Sequence, residues 1–325
     1  MNRMAIRKVC VIGMGTMGSQ IGIVCARAGV QTSMVETSED NVNKGLRTIQ
    51  AFLEGQEKKG KIDPEAREKM LSHITPKTDI EDAVQTADLV IEAVYEDIEI
   101  KKQTFHKMDG TAPETAIFAT NTSTLWIAEI AAATRRGDRC IGTHFLIPAA
   151  LTPLVEVVRG PDTSDRTHAT VMDFLHMCGK ETVTVSDSPG FVINRLYLPM
   201  VNEAFFALES GLATAEEIDR SCTRGLGFPL GPLAAADAFG LDILLVCMQT
   251  FHRKLGDKYR PCFLLVKRVK AGPLGRKTKK RVRLSDITGA GPERGFNHPL
   301  NDPDSQLSPK RCRWKRWAFS NLCAA

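Results

Sequence analysis

Val9-Cys-Val-Ile-Gly13-Met14-Gly15-Thr16-Met17-Gly18, the apolar helical pattern behind it, and Ser33-Met-Val-Glu36 beyond decide the fold. In order they read as strand, glycine turn, helix, strand and acid. The first glycine permits a tight turn, the second lets backbone approach a pyrophosphate, and the third lets helix pack on strand. The helix N-terminus then presents N–H groups without intrahelical acceptors, and the positive end of its dipole, to phosphate oxygens. Glu36 ends the second strand, about 20 residues past the turn, where a carboxylate accepts from adenine-ribose hydroxyls. A carboxylate there repels a 2′-phosphate, so the cofactor expected on Gly13 to Gly18 and Glu36 is NAD.

Outward from that stretch, Thr37 to Leu53 carries a helical period that runs on to Gly60 and Pro64, and Glu65–Leu71 resumes it: a charged helical hairpin inserted into the dinucleotide fold. Ala87–Val94, Thr115–Thr120, Arg139–His144 and Leu154–Val158 read as short buried strands, with a helix over Ile98–Met108. Strands alternating with helices predict an α/β fold, a doubly wound, mostly parallel Rossmann-type sheet with ligands at the carboxyl ends of its strands. Composition shifts at Asp187-Ser-Pro-Gly190. Helical patterns follow without strands: Phe191–Ser210, a capping-box spacing at Thr214–Glu217, and one pattern over Leu233–Phe251. The expected domains are residues 1–186 for NAD, residues 187–283 as an all-helical dimerisation and substrate domain, and residues 284–325 as a disordered tail without apolar period. The apolar run Leu241–Met248 has little in its own chain to bury against, which predicts a homodimer through the helical domain.

The net charge of +5 is concentrated in Lys267–Arg283, which has no acid. It reads as a solvated basic stretch, with CoA phosphates or nucleic acid as alternatives. Nine scattered cysteines make neither a disulfide framework nor a metal-ligand spacing, so no metal is expected. No apolar run approaches the ~20 residues of a membrane span, and the first strand begins too early for a leader, so the expected location is cytoplasmic.

Four polar residues interrupt the core pattern. Glu156 lies inside an apolar strand, where a carboxylate is costly unless paired. His144 ends the neighbouring strand at the ligand edge. Alone it reads as a structural histidine; with Glu156 fixing its tautomer it reads as a general base. Ser123 follows a buried strand, either projecting into the crevice or capping the next helix. Asn194 is either an exposed helical residue or one that reaches the crevice.

These motifs carry a resemblance. Gly13–Ser19, Val90-Ile-Glu-Ala-Val94 with Glu96, Thr120-Asn-Thr-Ser-Thr124, Thr143-His-Phe145, Pro153–Val157, Ser188–Arg195, Gly225–Leu233 and Leu274-Gly-Arg-Lys-Thr278 stand in the order and spacing of the L-3-hydroxyacyl-CoA dehydrogenases. The chain resembles that family, in its 3-hydroxybutyryl-CoA branch, from Arg7 to Thr278. The resemblance implies NAD-dependent oxidation of an L-3-hydroxyacyl-CoA to a 3-ketoacyl-CoA, in fatty acid or butyrate metabolism. It makes His144 the base, Glu156 its support, and Ser123 and Asn194 positioning groups. Glu96, Lys101, Ser123 and Lys277 become cofactor contacts and Lys59 a CoA contact, with no nucleic-acid or membrane partner. Two departures stand out. The family's His-Phe-Phe-Asn-Pro is His144-Phe-Leu-Ile147-Pro148 here, and the chain continues past Thr278 where relatives end, as a shifted reading frame would make it. The alternatives are a CoA-independent hydroxy-acid dehydrogenase of the same superfamily and an NAD-binding protein that has lost turnover.

Overall fold

The computed structural model describes residues 5–272 and 274. It divides into two compact units, the first ending at Arg195 and the second beginning at Leu196. The first unit runs β1 (Lys8–Ile12), α1 (Thr16–Arg27), β2 (Gln31–Val35), α2 (Glu39–Lys58), α3 (Pro64–Ser72), β3 (Ile74–Lys77) and α4 (Ile80–Val84). It continues through β4 (Leu89–Glu92), α5 (Ile98–Asp109), β5 (Ile117–Thr120), α6 (Ile127–Ala131), β6 (Cys140–Phe145), β7 (Leu154–Arg159), α7 (Asp165–Met177) and β8 (Glu181–Ser186).

The eight strands form one sheet in the order β3-β2-β1-β4-β5-β6-β7-β8. Every pairing is parallel except β6 with β7. Central strands are apolar over most of their length because helices cover both faces, with polar residues such as Glu92, Thr120, His144 and Glu156 as exceptions. Val9, Val11, Leu89 and Ile91 face a core built with Ile21 and Val24 of α1 and Val171 and Leu175 of α7. Cys10, Ile12, Val90 and Phe118 face the opposite core, with Phe105 and Met108 of α5. Strand order reverses between β1 and β4, the switch point where ligands bind in such sheets.

The helical hairpin is present: Ser38 caps α2, Asp63 caps α3, and Pro64 stands in the first turn of α3, where its missing N–H costs nothing. Strands β3 and β8, at the two edges, are additional to those expected. Ile74-Thr-Pro-Lys77 carries a proline tolerated only at an edge, and Glu181–Ser186 is largely exposed.

The second unit takes up α8 (Ile193–Glu209) from its first turn and adds α9 (Ala215–Arg220), α10 (Pro232–Phe239), α11 (Leu241–Leu255) and α12 (Phe263–Lys270). The capping box of Thr214 and Glu217 starts α9. Two expectations are corrected. The single pattern over Leu233–Phe251 is two helices, bent by 102° at Gly240, whose φ of 102° only glycine adopts readily. The apolar face of α11 does have a partner in its own chain: Leu241, Leu244, Leu245, Met248 and Phe251 bury in the unit's core with Val201, Phe205 and Leu265. Only Ile243 and Val246 of that helix remain as large exposed apolar side chains. Lys267, Arg268 and Lys270 of the basic run form the last turn of α12, where cations complement the helix dipole. The part of that run from Gly275 on and the expected tail lie outside the described residues. Among the described residues, every cysteine is free, no group of His, Cys, Asp or Glu could hold a metal, and no single helix is long and apolar enough to cross a membrane.

Candidate active site

The carboxyl ends of β1, β2, β4, β5 and β6 bring together most of the expected residues. Gly13 leaves β1 with φ of 98°, and a Cβ there would stand 2.7 Å from the carbonyl oxygen of Ala93 after β4. A Cβ on Gly18 would overlap the carbonyl of Gly13, whereas one on Gly15 would meet nothing within 4 Å. Two glycines are therefore required by the protein's own packing, and the middle one leaves an open face. Gly15 also starts α1 without a side-chain cap and with no acid in the first turn. That leaves N–H groups for anionic oxygens, so the residues present fit a dinucleotide.

Thr16 is exposed beside Gly15, and Met17 is half-buried. Met14 turns its side chain into the core, so only its backbone is left to shape the turn. Its carbonyl accepts from Ser19 Oγ at 2.7 Å, and its N–H donates to Glu36 Oε1 at 2.9 Å. Glu36 Oε2 accepts from the N–H of Thr37 at 3.0 Å. Each carboxylate oxygen thus keeps accepting capacity for ribose hydroxyls, while the tie to Met14 holds the acid against the glycine turn.

His144 and Glu156 stand directly opposite each other in the antiparallel β6–β7 pair. The register puts both side chains on one face, with His144 Nδ1 2.7 Å from Glu156 Oε2. An ionised carboxylate can only accept, so Nδ1 carries the hydrogen and the lone pair is on Nε2. Glu156 is fully buried, and its Oε1 accepts from the N–H of Val192 at 2.9 Å and of Ile193 at 3.0 Å. Gly190 and Phe191, with φ of 79° and 49°, turn the chain so that these two N–H groups reach it. Burial by itself would raise the Glu156 carboxyl; the bonds from His144, Ile193 and Val192 outweigh it and hold the carboxyl below the usual range. The Phe191 ring lies against the imidazole, centroids 5.4 Å apart. Asn194 follows in the first turn of α8, one residue past Ile193.

Ser123 does not cap a helix, since α6 begins only at Ile127. Its N–H and hydroxyl donate to Glu96 Oε1, at 2.8 Å and 3.3 Å. The same oxygen accepts from Thr122 Oγ1 at 2.6 Å and from the Thr124 N–H at 3.1 Å. Glu96 therefore shapes the whole loop after β5. Burial would raise its carboxyl, but the charge of Lys101 and these donors bring it below the usual range. Lys101 is only 1% exposed and bridges Glu92 Oε1 at 2.7 Å and Glu96 Oε2 at 3.3 Å. Its ammonium is thus held by two carboxylates under the loop.

The remaining expected residues lie apart. Lys59 stands exposed at the end of α2, outside this network, and Lys277 lies outside the described residues. Ile147 is 51% exposed and precedes Pro148 through a cis bond, in the loop two residues past the end of β6. Residues not singled out from sequence include Glu92, whose buried carboxylate also accepts from Thr120 Oγ1 at 2.7 Å, and Asn121, whose Oδ1 accepts from the Phe145 N–H beside His144 at 2.9 Å. Both stand in quoted motifs, Glu92 as an acid in an apolar strand, and that same signal had marked Glu156.

Residues 8–188 match the family model for the NAD binding domain of 3-hydroxyacyl-CoA dehydrogenase, and residues 190–284 match the model for its C-terminal domain. The chain belongs to the 3-hydroxyacyl-CoA dehydrogenase family. It is 42% identical to a 3-hydroxybutyryl-CoA dehydrogenase of Bradyrhizobium diazoefficiens, over 88% of this chain and 97% of that protein. It is 37% identical to the human mitochondrial hydroxyacyl-coenzyme A dehydrogenase, over 85% of this chain and 90% of the human protein. The crystal structure of (S)-3-hydroxybutyryl-CoA dehydrogenase from Ralstonia eutropha superposes with a TM-score of 0.82 at 42% identity, covering 85% of this chain and 98% of that one. The 3-hydroxyacyl-CoA dehydrogenases are NAD-dependent oxidoreductases, and the glycine turn with Glu36 is the part of this chain that fits the cofactor.

Proposed function

We propose that this dehydrogenase oxidises L-3-hydroxyacyl-CoA thioesters to 3-ketoacyl-CoA and runs the reverse reaction, with short acyl chains among its substrates. The observation that carries the reading is the His144–Glu156 pair: an imidazole whose Nε2 lone pair is fixed by a buried carboxylate, at the strand edge where the sheet gathers its ligands. NAD supplies a hydride acceptor in one direction and a donor in the other. In oxidation His144 Nε2 takes the proton of the 3-hydroxyl as the C3–H bond breaks with its electron pair. Glu156 stays ionised and supports the imidazolium that results. In reduction the imidazolium returns that proton to the new alkoxide oxygen.

Ser123, fixed by Glu96, and Asn194, next to the turn that holds Glu156, position the substrate carbonyl and hydroxyl in this reading. Glu96, Lys101 and Lys277 are cofactor contacts in this reading, and Lys59 meets CoA phosphates. The domain roles follow the same lines: residues 1–186 for the cofactor, 187–283 for dimerisation and substrate. Exposed Leu196, Ile243, Val246 and Phe263 of the helical unit support a homodimer through it. The same reading places the enzyme in the cytoplasm, in fatty acid or butyrate metabolism, with no nucleic-acid or membrane partner.

The test is NADH consumption with acetoacetyl-CoA beside free acetoacetate at equal concentration. Turnover on the thioester alone is expected. Turnover on the free acid alone would favour the CoA-independent relatives, and NADH binding without turnover on either would favour a protein that has lost catalysis.

A further inference from the structure

Lys180 lies between α7 and β8, is only 4% exposed, and has no role in the chemistry above. Its ammonium donates to the carbonyl oxygens of Ala149 at 2.6 Å and Thr152 at 2.7 Å. These two carbonyls lie within the connection between β6, which carries His144, and β7, which carries Glu156. Helix α1 grips the same connection from another side: Arg27 Nη1 donates to the Ala150 carbonyl at 3.1 Å, and the Ala150 N–H donates to Gln20 Oε1 at 3.3 Å. Within the loop, the N–H groups of Leu151 and Thr152 return to the Pro148 carbonyl. Every backbone group in this list belongs to the segment that follows Ile147.

The clamp is an expensive one. The titratable groups facing Lys180 are the Arg27 guanidinium and the thiols of Cys25 and Cys178, and burial keeps both thiols protonated and neutral. The ammonium therefore sits among carbonyl dipoles and beside a like charge, with no carboxylate bonded to it among the described residues. Two charge-assisted bonds to backbone are what it has in return.

We propose that Lys180 is a positioning residue for the proposed dehydrogenation: in its charged form it ties the 149–152 loop to the turn between α7 and β8, while Arg27 and Gln20 tie the same loop to α1, and so it holds the His144–Glu156 pair and Ile147 in register with the cofactor-binding turn. Burial, and then the Arg27 charge, lower the ammonium to about 8 from its ordinary value, so the clamp loses its charge just above neutrality. A neutral amine still donates, but its bonds are about half as strong as charge-assisted ones. The sign for stability is opposite to the sign for rate. The unfolded lysine keeps its proton up to its ordinary value of 10.5 while the folded one releases it near 8, so between these limits deprotonation favours the fold. A lysine kept merely for stability would not lower the rate over the same range.

The proposal rests on the dehydrogenase reading, and its test has one arm that does not. Oxidation of L-3-hydroxybutyryl-CoA by NAD is followed from pH 6 to 9.5 in the full-length wild type, Lys180→Met and Lys180→Arg. Backbone hydrogen exchange of the peptide spanning 146–153 is measured at pH 7 in the same three proteins. The wild-type kcat is expected to fall above about pH 8. Lys180→Met is expected to lose that alkaline limb, to start from a kcat lowered about three- to tenfold, and to exchange the 146–153 amides faster. Lys180→Arg, which keeps donors and cannot lose its proton, is expected to stay within about threefold of wild type at pH 7 and to move the limb beyond the range. A wild-type profile without the limb, a folded Lys180→Met with wild-type rate and exchange, or a Lys180→Arg limb still near 8 would each overturn the proposal. If Lys180→Met does not fold, the arginine variant decides. If the wild type turns over no thioester, the dehydrogenase reading fails by itself, and the exchange comparison still decides whether Lys180 holds the loop.

Discussion

Replacing Glu156 by Gln changes one atom in a side chain whose surroundings are fully specified. Oε1 accepts two backbone N–H groups, so the amide oxygen must occupy that place, because an amide NH2 there would face two donors. The NH2 then faces His144 Nδ1, which has to become the acceptor, and the imidazole hydrogen moves to Nε2. The base loses its lone pair at the reacting side with almost no change in shape. The charge that supports imidazolium goes as well. A positioned general base is worth about 10²–10⁴ in rate, so kcat in oxidation should fall by that factor. The glycine turn is on β1 and α1, well separated in the sheet order, so NADH affinity should hold within about twofold. Steady-state kinetics with L-3-hydroxybutyryl-CoA and NAD, together with a fluorescence titration of NADH, separates the two quantities. A folded Glu156→Gln protein with kcat within about threefold of wild type would refute the assignment of tautomer and base.

Other outcomes follow from neighbouring features. Ile147→Asn should raise kcat/KM by roughly two- to tenfold, the worth of one neutral hydrogen bond; the same assay at subsaturating substrate checks it, and no gain would mean that the site is built around the hydrocarbon. The wild type should use NAD over NADP by at least about 100-fold in kcat/KM, because like charges brought together at Glu36 cost several kcal/mol; parity would remove Glu36 from the cofactor site. Gly13→Ala puts a Cβ 2.7 Å from the Ala93 carbonyl at a φ of 98°, so Tm should drop by roughly 2–10 °C for strain of about 1–3 kcal/mol, and NADH affinity should weaken with it. Glu156 is held below the usual carboxylate range in the fold, so its stabilisation is complete above the ordinary value of 4.5 and is lost as pH falls through the lowered one. Acid titration of Tm should therefore show a smaller loss in Glu156→Gln than in the wild type.

Much of the first unit was legible because its central strands are largely apolar and its breaks carry their own chemistry: Gly13, Gly60 and Pro64 each mark a boundary that the structure keeps. The edge strands β3 and β8 were not, because an exposed Thr-Pro-Lys or Glu-Thr-Val-Thr has no buried face to show in its pattern. The break at Gly240 hid inside a run apolar on both sides of it. The burial of α11 was misread for a related reason, since hydrophobicity tells that a face is covered and not by what. His144 and Glu156 were visible as polar residues in apolar strands. Lys180 and Lys101 look like ordinary surface lysines in the chain, and their burial comes from partners 28 to 31 and 9 residues away.

The central claim is that hydride leaves C3 of a thioester-bound hydroxyl while His144 takes the proton. The most direct measurement supplies L-3-hydroxybutyryl-CoA deuterated at C3, with NAD, and looks for the label. The account predicts acetoacetyl-CoA with deuterium in the reduced nicotinamide, and loss of that transfer in His144→Ala despite retained NADH binding. Bound NAD with no label transferred by the wild-type protein, or unimpaired transfer by His144→Ala, would contradict it.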